Sequence, residues 1–329
     1  MPVVAQHDHG GDAETVGDDL PESFSEPIPL YPTVIGEHTH DISSSNAEAK
    51  AYFRQGFQLM YAFAKEEATR SFREAWKSDP DCAICYWGEA WSWGSYLNGP
   101  MRPFEAPHAY AAMKEAVARL EQANEKEQAY IEALQSRYVE NFDPETRRDQ
   151  DEAYADAMQQ LAQSYPNDLD AVTLYADALF LLEPRRGTRD LADPNVQRLH
   201  GVLESVLARD VTHPGACHLY IHATESTTDP GKAADCAEYL GDEIPGASHI
   251  NHMPSHTWNE IGRWSDGVRS NLKAWHSDLR PSLVRGSQSI QVTTCICCFL
   301  LPRWTDRVPS RFRQEKTTRR LRMTPFFTC

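Results

Sequence analysis

The chain has 329 residues, of which 41% are hydrophobic, so it carries ample material for one large domain or two ordinary ones. Its net charge of −16 argues against a nucleic-acid partner, because phosphate binding needs a basic surface. No run approaches the ~18–20 apolar residues of a membrane span, so no membrane span is predicted.

Residues 1–30 are predicted to form a disordered acidic arm. Residues 1–49 contain ten acidic residues and no Lys or Arg, which is typical of a segment that cannot build a core. The N-terminus has neither a basic n-region nor an apolar h-region, so no secretory signal is predicted and the compartment stays open. His38 and His40 precede the first predicted helix and are interpreted as surface-loop residues, the alternative being that they fold back onto a site elsewhere.

Two amphipathic helices are predicted at residues 47–63 and 66–78, with a tight turn between them. Asn46 is a good capping residue just before the first of them. The pair resembles a tetratricopeptide repeat (TPR), in which small residues let two helices cross closely and an aromatic ring fills the gap to the next hairpin. The positions that carry the resemblance are Tyr52, Gly56, Ala68, Phe72, Ala75 and Pro80.

Further helical patterns follow along the chain. They are predicted at about residues 82–96, 108–122, 125–140, 151–165, 169–182 and 195–209. Since one repeat cannot bury its apolar face alone, neighbouring hairpins must stack. The resemblance therefore implies an all-α fold over residues 31–282, a right-handed helical-hairpin (TPR-like) solenoid with irregular repeats, whose concave groove would bind a protein or peptide.

The eight cysteines do not form the disulfide pattern of a small scaffold. Cys82 and Cys85 form a CxxC pair, but this pair lies inside a helical pattern and has no second CxxC to accompany it. Both are interpreted as buried small apolar residues rather than as a redox or metal-binding pair.

A histidine-rich stretch, HPGACHLYIHATE…IPGASHINHMPSHTW, contains an internal repeat in which Pro214 is answered by Pro245, 31 residues later. The first copy places His218, His222 and Glu225 at spacings i, i+4 and i+7, on one helix face. The second copy spaces three histidines at i, i+3 and i+7. These are His249, His252 and His256. By resemblance to TPR proteins, both sets line the concave groove, whereas His213 falls in the loop before the helix.

Pro254 complicates the second set of histidines, because a proline inside a helix removes one hydrogen bond and costs ~3 kcal/mol or more. Either a helix begins near Pro254, which leaves His249 and His252 in the preceding turn, or a longer helix is kinked there. The sequence leaves both alternatives open.

Imidazole and carboxylate groups are ligands of transition metals, so the two sets are predicted to form a metal site for Zn, Fe or Cu. The alternatives are histidines satisfied within the core, or histidines that line a groove for an acidic or aromatic peptide. The predicted function is a TPR-like scaffold with a histidine-rich metal site. The alternative is a metal-dependent enzyme, hydrolytic or redox, that uses the same cluster.

Several segments resemble a narrower group of bacterial-type TPR proteins. The segments are YPTVIGEHTHDIS, YFRQGFQLMYAF, EATRSFREAWKSDPDCAICYWGEAW, HPGACHLYIHATE and HINHMPSH, within residues 31–282. The group often carries an export signal and continues through further repeats. Residues 283–329 form an atypical basic, Cys-containing tail, for which a mispredicted exon or shifted reading frame is favoured over a basic arm or a cysteine metal cluster.

Overall fold

The computed structural model describes residues 22–31, 35–183 and 188–278. Residues 1–21 of the predicted arm and the predicted tail at 283–329 lie outside the described residues. In the part of the chain that is described, α-helices account for most of the structure and no β-strand occurs; one isolated bridge joins Tyr96 and Gly99. The helices are α1 (Ala47–Tyr61), α2 (Lys65–Ser78), α3 (Ala83–Trp93), α4 (Ala106–Ala118), α5 (Glu125–Gln135), α6 (Arg147–Ser164), α7 (Leu169–Leu182), α8 (Pro194–Leu207), α9 (Pro214–Thr224), α10 (Ala234–Glu243), α11 (Ser248–His252), α12 (Pro254–Glu260) and α13 (Trp264–Asp278).

Helices that are neighbours in sequence pack against each other through most of the chain, which gives a solenoid-like all-α architecture. The predicted all-α fold is confirmed. The side chains of Asn46, Asn124 and Asp168 cap α1, α5 and α7 by accepting backbone N–H groups of the first turn. Among the described helices, none is long and apolar enough to cross a membrane.

The close helix crossing predicted from the small residues of the first hairpin is present. The Phe72 ring of α2 is fully buried between Gly56 of α1 and Gly88 of α3, and a Cβ atom at either glycine would press on that ring. Ala68 and Ala75 are also fully buried. Small residues on α1 and α3 therefore allow α2 to lie between them at close range.

One helix ends earlier than its sequence pattern predicts. The pattern at 125–140 continues to residue 140, whereas α5 ends at Gln135. The residues that follow are held by α3 and its C-terminal loop: the Tyr138 hydroxyl donates to the Ala90 carbonyl at 2.6 Å, and the Arg137 guanidinium donates to the Ser95 carbonyl. These tertiary hydrogen bonds hold Arg137 and Tyr138 outside the helix, although local propensity favours its continuation.

Residues 22–30, which the sequence pattern assigns to a disordered arm, are ordered and packed. Glu22–Ser25 forms a 3-10 turn, and the Phe24 ring lies 4.9 Å from that of Trp93. Arg70 of α2 donates to the carbonyls of Glu26 and Pro27. The acidic composition gave no sign of this contact, because the segment is held by the buried side chains of Phe24 and Ile28 and by its backbone carbonyls.

The chain does not follow a fully open solenoid path. Besides its neighbours α2 and α3, α1 contacts α9, and α9 also contacts α7. The turn that follows α1 is thereby brought against the N-terminal part of α9. As a result, Phe63 of that turn lies beside the imidazoles of His218 and His222.

Candidate metal centre

Helix α9 presents two of the predicted histidines on its inner face. Pro214 occupies the first turn of α9, where its missing N–H costs nothing. His218 and His222 follow one turn apart and are both buried, and Glu225 stands at the C-terminal cap. His213 caps the helix: its Nδ1 accepts the Ala216 N–H at 3.2 Å.

The second set of histidines lies on two short helices that meet at Pro254. His249 and His252 belong to α11, and His256 belongs to α12. Met253 between them keeps helical dihedrals, with φ −50° and ψ −41°. Pro254 therefore starts a new helix, as the first alternative predicts, while His249 and His252 lie in a helical segment just before it, as the second alternative predicts. Because the helical path continues, all three histidines stay on the same side.

The two sets come together as a closed five-histidine cluster, formed by the imidazoles of His218, His222, His249, His252 and His256. Neighbouring ring centroids are 4.8 Å apart for His218–His249, 6.3 Å for His249–His252, 4.8 Å for His252–His256, 5.5 Å for His256–His222 and 5.1 Å for His222–His218. His218, His222 and His249 each place a ring nitrogen within 4.8 Å of the others, so this group is geometrically able to hold a metal ion.

The ring nitrogens divide into two kinds. Within the cluster, Nε2 of His218 faces Nε2 of His249 at 3.0 Å, and Nε2 of His252 faces Nε2 of His256 at 3.0 Å. His222 Nε2 is buried without a hydrogen-bond partner. The converging ring nitrogens of His218, His222 and His249 are the donor atoms that a bound cation would require.

The outward-facing Nδ1 atoms are mostly held by oxygen atoms. His218 Nδ1 donates to the Tyr61 carbonyl at 2.6 Å, and His252 Nδ1 lies 2.5 Å from Asn271 Oδ1. His222 Nδ1 donates to Glu225 Oε1 at 2.9 Å, and His256 Nδ1 pairs with the second oxygen of the same carboxylate. Carbonyl and carboxylate partners at the outer nitrogen are typical of metal-ligating histidines, because they fix the tautomer and orient the ring.

The electrostatics keep three of the imidazoles neutral. Burial lowers the pKa of His218, His222 and His249, and neighbouring imidazoles reinforce this for His218 and His249, whose pKa values fall well below the ordinary range. Burial opposes ionisation of Glu225, but His256 and His222 outweigh it and hold its pKa well below the usual value. Neutral imidazole is the form that binds metal ions.

Phe63 covers one side of the cluster from the turn between α1 and α2. Its ring centroid lies 4.1 Å from that of His218 and 5.4 Å from that of His249, with which it stacks. Its backbone has φ 57°, and it is the non-glycine residue with positive φ among those described. A residue in this left-handed region costs roughly 1–3 kcal/mol, and such outliers gather at functional sites.

The cluster is enclosed rather than spread along an open groove. His218, His222 and His252 are buried, whereas His249 and His256 are half-buried. The turn after α1, which carries Phe63, covers the face that the repeat register assigns to the concave groove. Beside the cluster, the Glu225 side chain is 26% exposed, and that of His256 is 14% exposed.

No protein-family model matches the chain, and a search of curated proteins finds no match. The geometry and chemistry of the site therefore carry its functional interpretation.

Two disulfides, neither predicted from the sequence, join cysteines in the helical region. Cys82 bonds to Cys85, so this pair is buried as predicted but is covalently linked. Cys217 of α9 bonds to Cys236 of α10, which ties the helix that carries His218 to its neighbour. The second pair spans 19 residues and shows no local motif, so spacing alone could not identify it.

The interpretation of His38 and His40 as surface-loop residues is wrong, and the alternative, that they fold back onto a site elsewhere, is what the structure shows. His38, His40 and His213, which the sequence pattern places in loops, all converge on Asp170 in the first turn of α7. The signal that could have identified part of this convergence is the His38-x-His40 spacing, because alternate residues of an extended segment point to the same side. Asp170 itself carried no signal beyond its place in a helix N-terminus.

Proposed function

We propose that this chain is a metalloprotein, in which the imidazoles of His218, His222 and His249 hold one transition-metal ion inside a TPR-like helical scaffold. The observation that carries the proposal is the arrangement of their ring nitrogens. Inner nitrogens converge with no oxygen partner, while the outer nitrogens of His218 and His222 are held by a carbonyl and a carboxylate. Imidazole ligands suit Zn, Cu and Fe.

His252 and His256 extend the proposed site on its second side. Their Nε2 atoms face each other at 3.0 Å beside the group of three histidines, so we propose that they line the second side of the ion without belonging to that group. Glu225 is proposed to position ligands rather than to bind the metal, because it pairs with the outer nitrogens of His222 and His256 and lies outside the group of three histidines able to hold an ion.

A metal-dependent enzyme is the second candidate function. It is favoured by the exposure at Glu225 and His256, whose side chains are 26% and 14% exposed and give the cluster contact with solvent. A metal ion held there would supply Lewis acidity or a redox couple. Binding of a protein or peptide in the concave groove stays a prediction from the repeat resemblance.

The proposal is tested by metal analysis of the full chain, purified without chelators and measured by mass spectrometry of its elements. The double variant His218→Ala/His249→Ala is expected to lose at least one equivalent of metal that the wild type carries, because two of three converging ligands are gone. His276→Ala is the matched control, since His276 is exposed on α13 and bonds only the Leu272 carbonyl. Circular dichroism confirms that both variants fold.

A wild-type protein without stoichiometric metal, after exposure to Zn²⁺, Cu²⁺ and Fe²⁺ in turn, would contradict the proposal. An enzyme is distinguished from a purely structural site by turnover. Hydrolysis of an activated ester or phosphoester, or oxidation of a phenol, should then disappear in the same double variant and persist in His276→Ala.

A further inference from the structure

A second convergence of polar side chains lies at the floor of an open pocket of about 750 Å³. Its centre is Asp170, which is 6% exposed and lies in the first turn of α7. The Asp170 cluster consists of His38, His40, Asp168 and Asp170. None of these residues belongs to the five-histidine cluster, so the Asp170 cluster has a separate set of candidate ligands.

Both oxygens of Asp170 are approached by imidazoles of the extended segment before α1. His38 Nε2 lies 2.9 Å from Oδ1, and His40 Nδ1 lies 2.7 Å from Oδ2. His40, Asp168 and Asp170 each offer a ligand atom within 4.8 Å of the others. Nitrogen and carboxylate oxygen atoms therefore converge here from two separate parts of the chain.

Two further groups orient Asp170. The Tyr61 hydroxyl donates to Oδ1 at 2.6 Å, and His213 Nε2 lies 3.2 Å from the same oxygen. His213 Nδ1 accepts the Ala216 N–H, and its Nε2 faces Asp170 but is buried without a hydrogen-bond partner. The Tyr61 hydroxyl and the His213 ring therefore hold the Asp170 carboxylate in place at Oδ1.

The charge around the pocket calls for a cation. Besides the two aspartates of the cluster, its lining contains Glu37, Asp41 and Asp210, against a single lysine, Lys126. Lys126 pairs with Asp168 at 2.9 Å. In the described part of the chain, the ion-pair partners of Asp170 are the histidines His38, His40 and His213, and neither a lysine nor an arginine pairs with this buried carboxylate.

We infer that the Asp170 cluster is a second metal site, in which His40, Asp168 and Asp170 bind a divalent transition metal, with His38, Tyr61 and His213 positioning Asp170. One imidazole and two carboxylates suit Zn²⁺, Mn²⁺ or Fe²⁺, since carboxylate oxygens favour harder ions than an all-imidazole set does. The pocket above the cluster leaves room for water or a small ligand on the open side of the ion.

The test uses the full chain, stripped of metal with a chelator and titrated with ZnCl₂ in a calorimeter. The wild type is expected to take up two equivalents of Zn²⁺, and Asp170→Asn is expected to take up one. Asn keeps the size of the side chain and can still accept from Tyr61. Thr39→Ala is the matched control, because Thr39 is exposed between the two histidines, and it should retain both equivalents.

Variants of the two sites separate this inference from the proposed function. His218→Ala/His249→Ala should retain the equivalent that Asp170→Asn loses. If the wild type binds one Zn²⁺, and only the His218/His249 double variant loses it, the Asp170 site is refuted while the first site stands. If Asp170→Asn alone loses it, the first site is refuted and this one stands.

A spectroscopic measurement covers the case in which Asp170→Asn fails to fold. X-ray absorption of the Zn²⁺-loaded His218→Ala/His249→Ala variant identifies the atoms that bind the remaining zinc, with the Asp170 cluster intact. A first shell of mixed nitrogen and oxygen ligands with a carboxylate signature is expected. A shell of nitrogen ligands alone, or no bound zinc, would overturn the inference.

Discussion

At the scale of single residues, the fold lowers the pKa of a buried lysine, Lys65. It begins α2 directly after the turn that carries Phe63, and its Nζ donates to the carbonyls of Trp93 and Gly94 at 3.3 and 2.8 Å. Glu105 lies 3.8 Å away. Burial outweighs the attraction of Glu105 and lowers the pKa of Lys65 from 10.5 to about 8.

This shift predicts a pH dependence of stability. Between pH 8 and 10.5 the unfolded chain keeps a proton on Lys65 that the folded chain has released, so the free energy of unfolding should rise with pH. The slope is at most about 1.4 kcal/mol per pH unit. Urea unfolding at pH 7.5 and 9.5 should show a gain for the wild type that exceeds the gain for Lys65→Met by about 1–2 kcal/mol.

The exposed Lys114 provides the control, since Lys114→Met should keep the wild-type dependence. Equal pH dependence in the wild type and Lys65→Met would show that Lys65 is not responsible.

At the scale of helices, the packing of Phe72 between two glycines depends on the absence of side chains. Gly56 and Gly88 lie on different helices, and both face the same ring. Replacing one of them tests whether the close approach of α2 and α3 contributes to stability.

Gly88→Ala is expected to destabilise the protein by about 1–3 kcal/mol, because the new methyl group overlaps the fully buried Phe72 ring. Gly201→Ala is the matched control on α8, where nothing lies within 4 Å of the added Cβ. That variant should gain roughly 0.5–1 kcal/mol from helix propensity. Chemical denaturation measures both, and a neutral or stabilising Gly88→Ala would contradict the packing argument.

The helices were largely predictable, because periodicity and capping residues are local properties. The range 169–182 was predicted as observed for α7, and α9 and α11 carry their histidines at the spacing the sequence indicated. The rest of the site was not predictable by local rules. Tyr61 lies 157 positions from His218 and 109 from Asp170, and only the tertiary contact of α1 with α9 brings them together.

At the scale of the whole molecule, the contact of α1 with α9 joins hairpins that an open solenoid would keep apart. Stacked repeats with contacts only between neighbours can unfold piecewise. Here the Tyr61 ring lies against the backbone of Gly215 in the first turn of α9, and a Cβ at that glycine would overlap the ring. The early and late helices are thereby coupled.

We therefore expect the metal-free wild type to unfold in one cooperative transition, with coincident curves from circular dichroism and tryptophan fluorescence. Gly215→Ala should lower the free energy of unfolding by about 1–3 kcal/mol, because the helix and the tyrosine must move apart. Loss of coincidence between the two probes is expected in this variant. A wild type that unfolds in separate steps would show that the contact does not couple the hairpins.

Tyr61 connects the two proposed metal sites through one residue. Its carbonyl accepts from His218, and its hydroxyl donates to Asp170. If both sites are occupied, an ion at one site that displaces Tyr61 also moves the group that Tyr61 offers to the other site. That group is the carbonyl at His218 or the hydroxyl at Asp170. By thermodynamic reciprocity, each metal must then alter the affinity of the other by the same factor, so the two ions would bind as a linked pair.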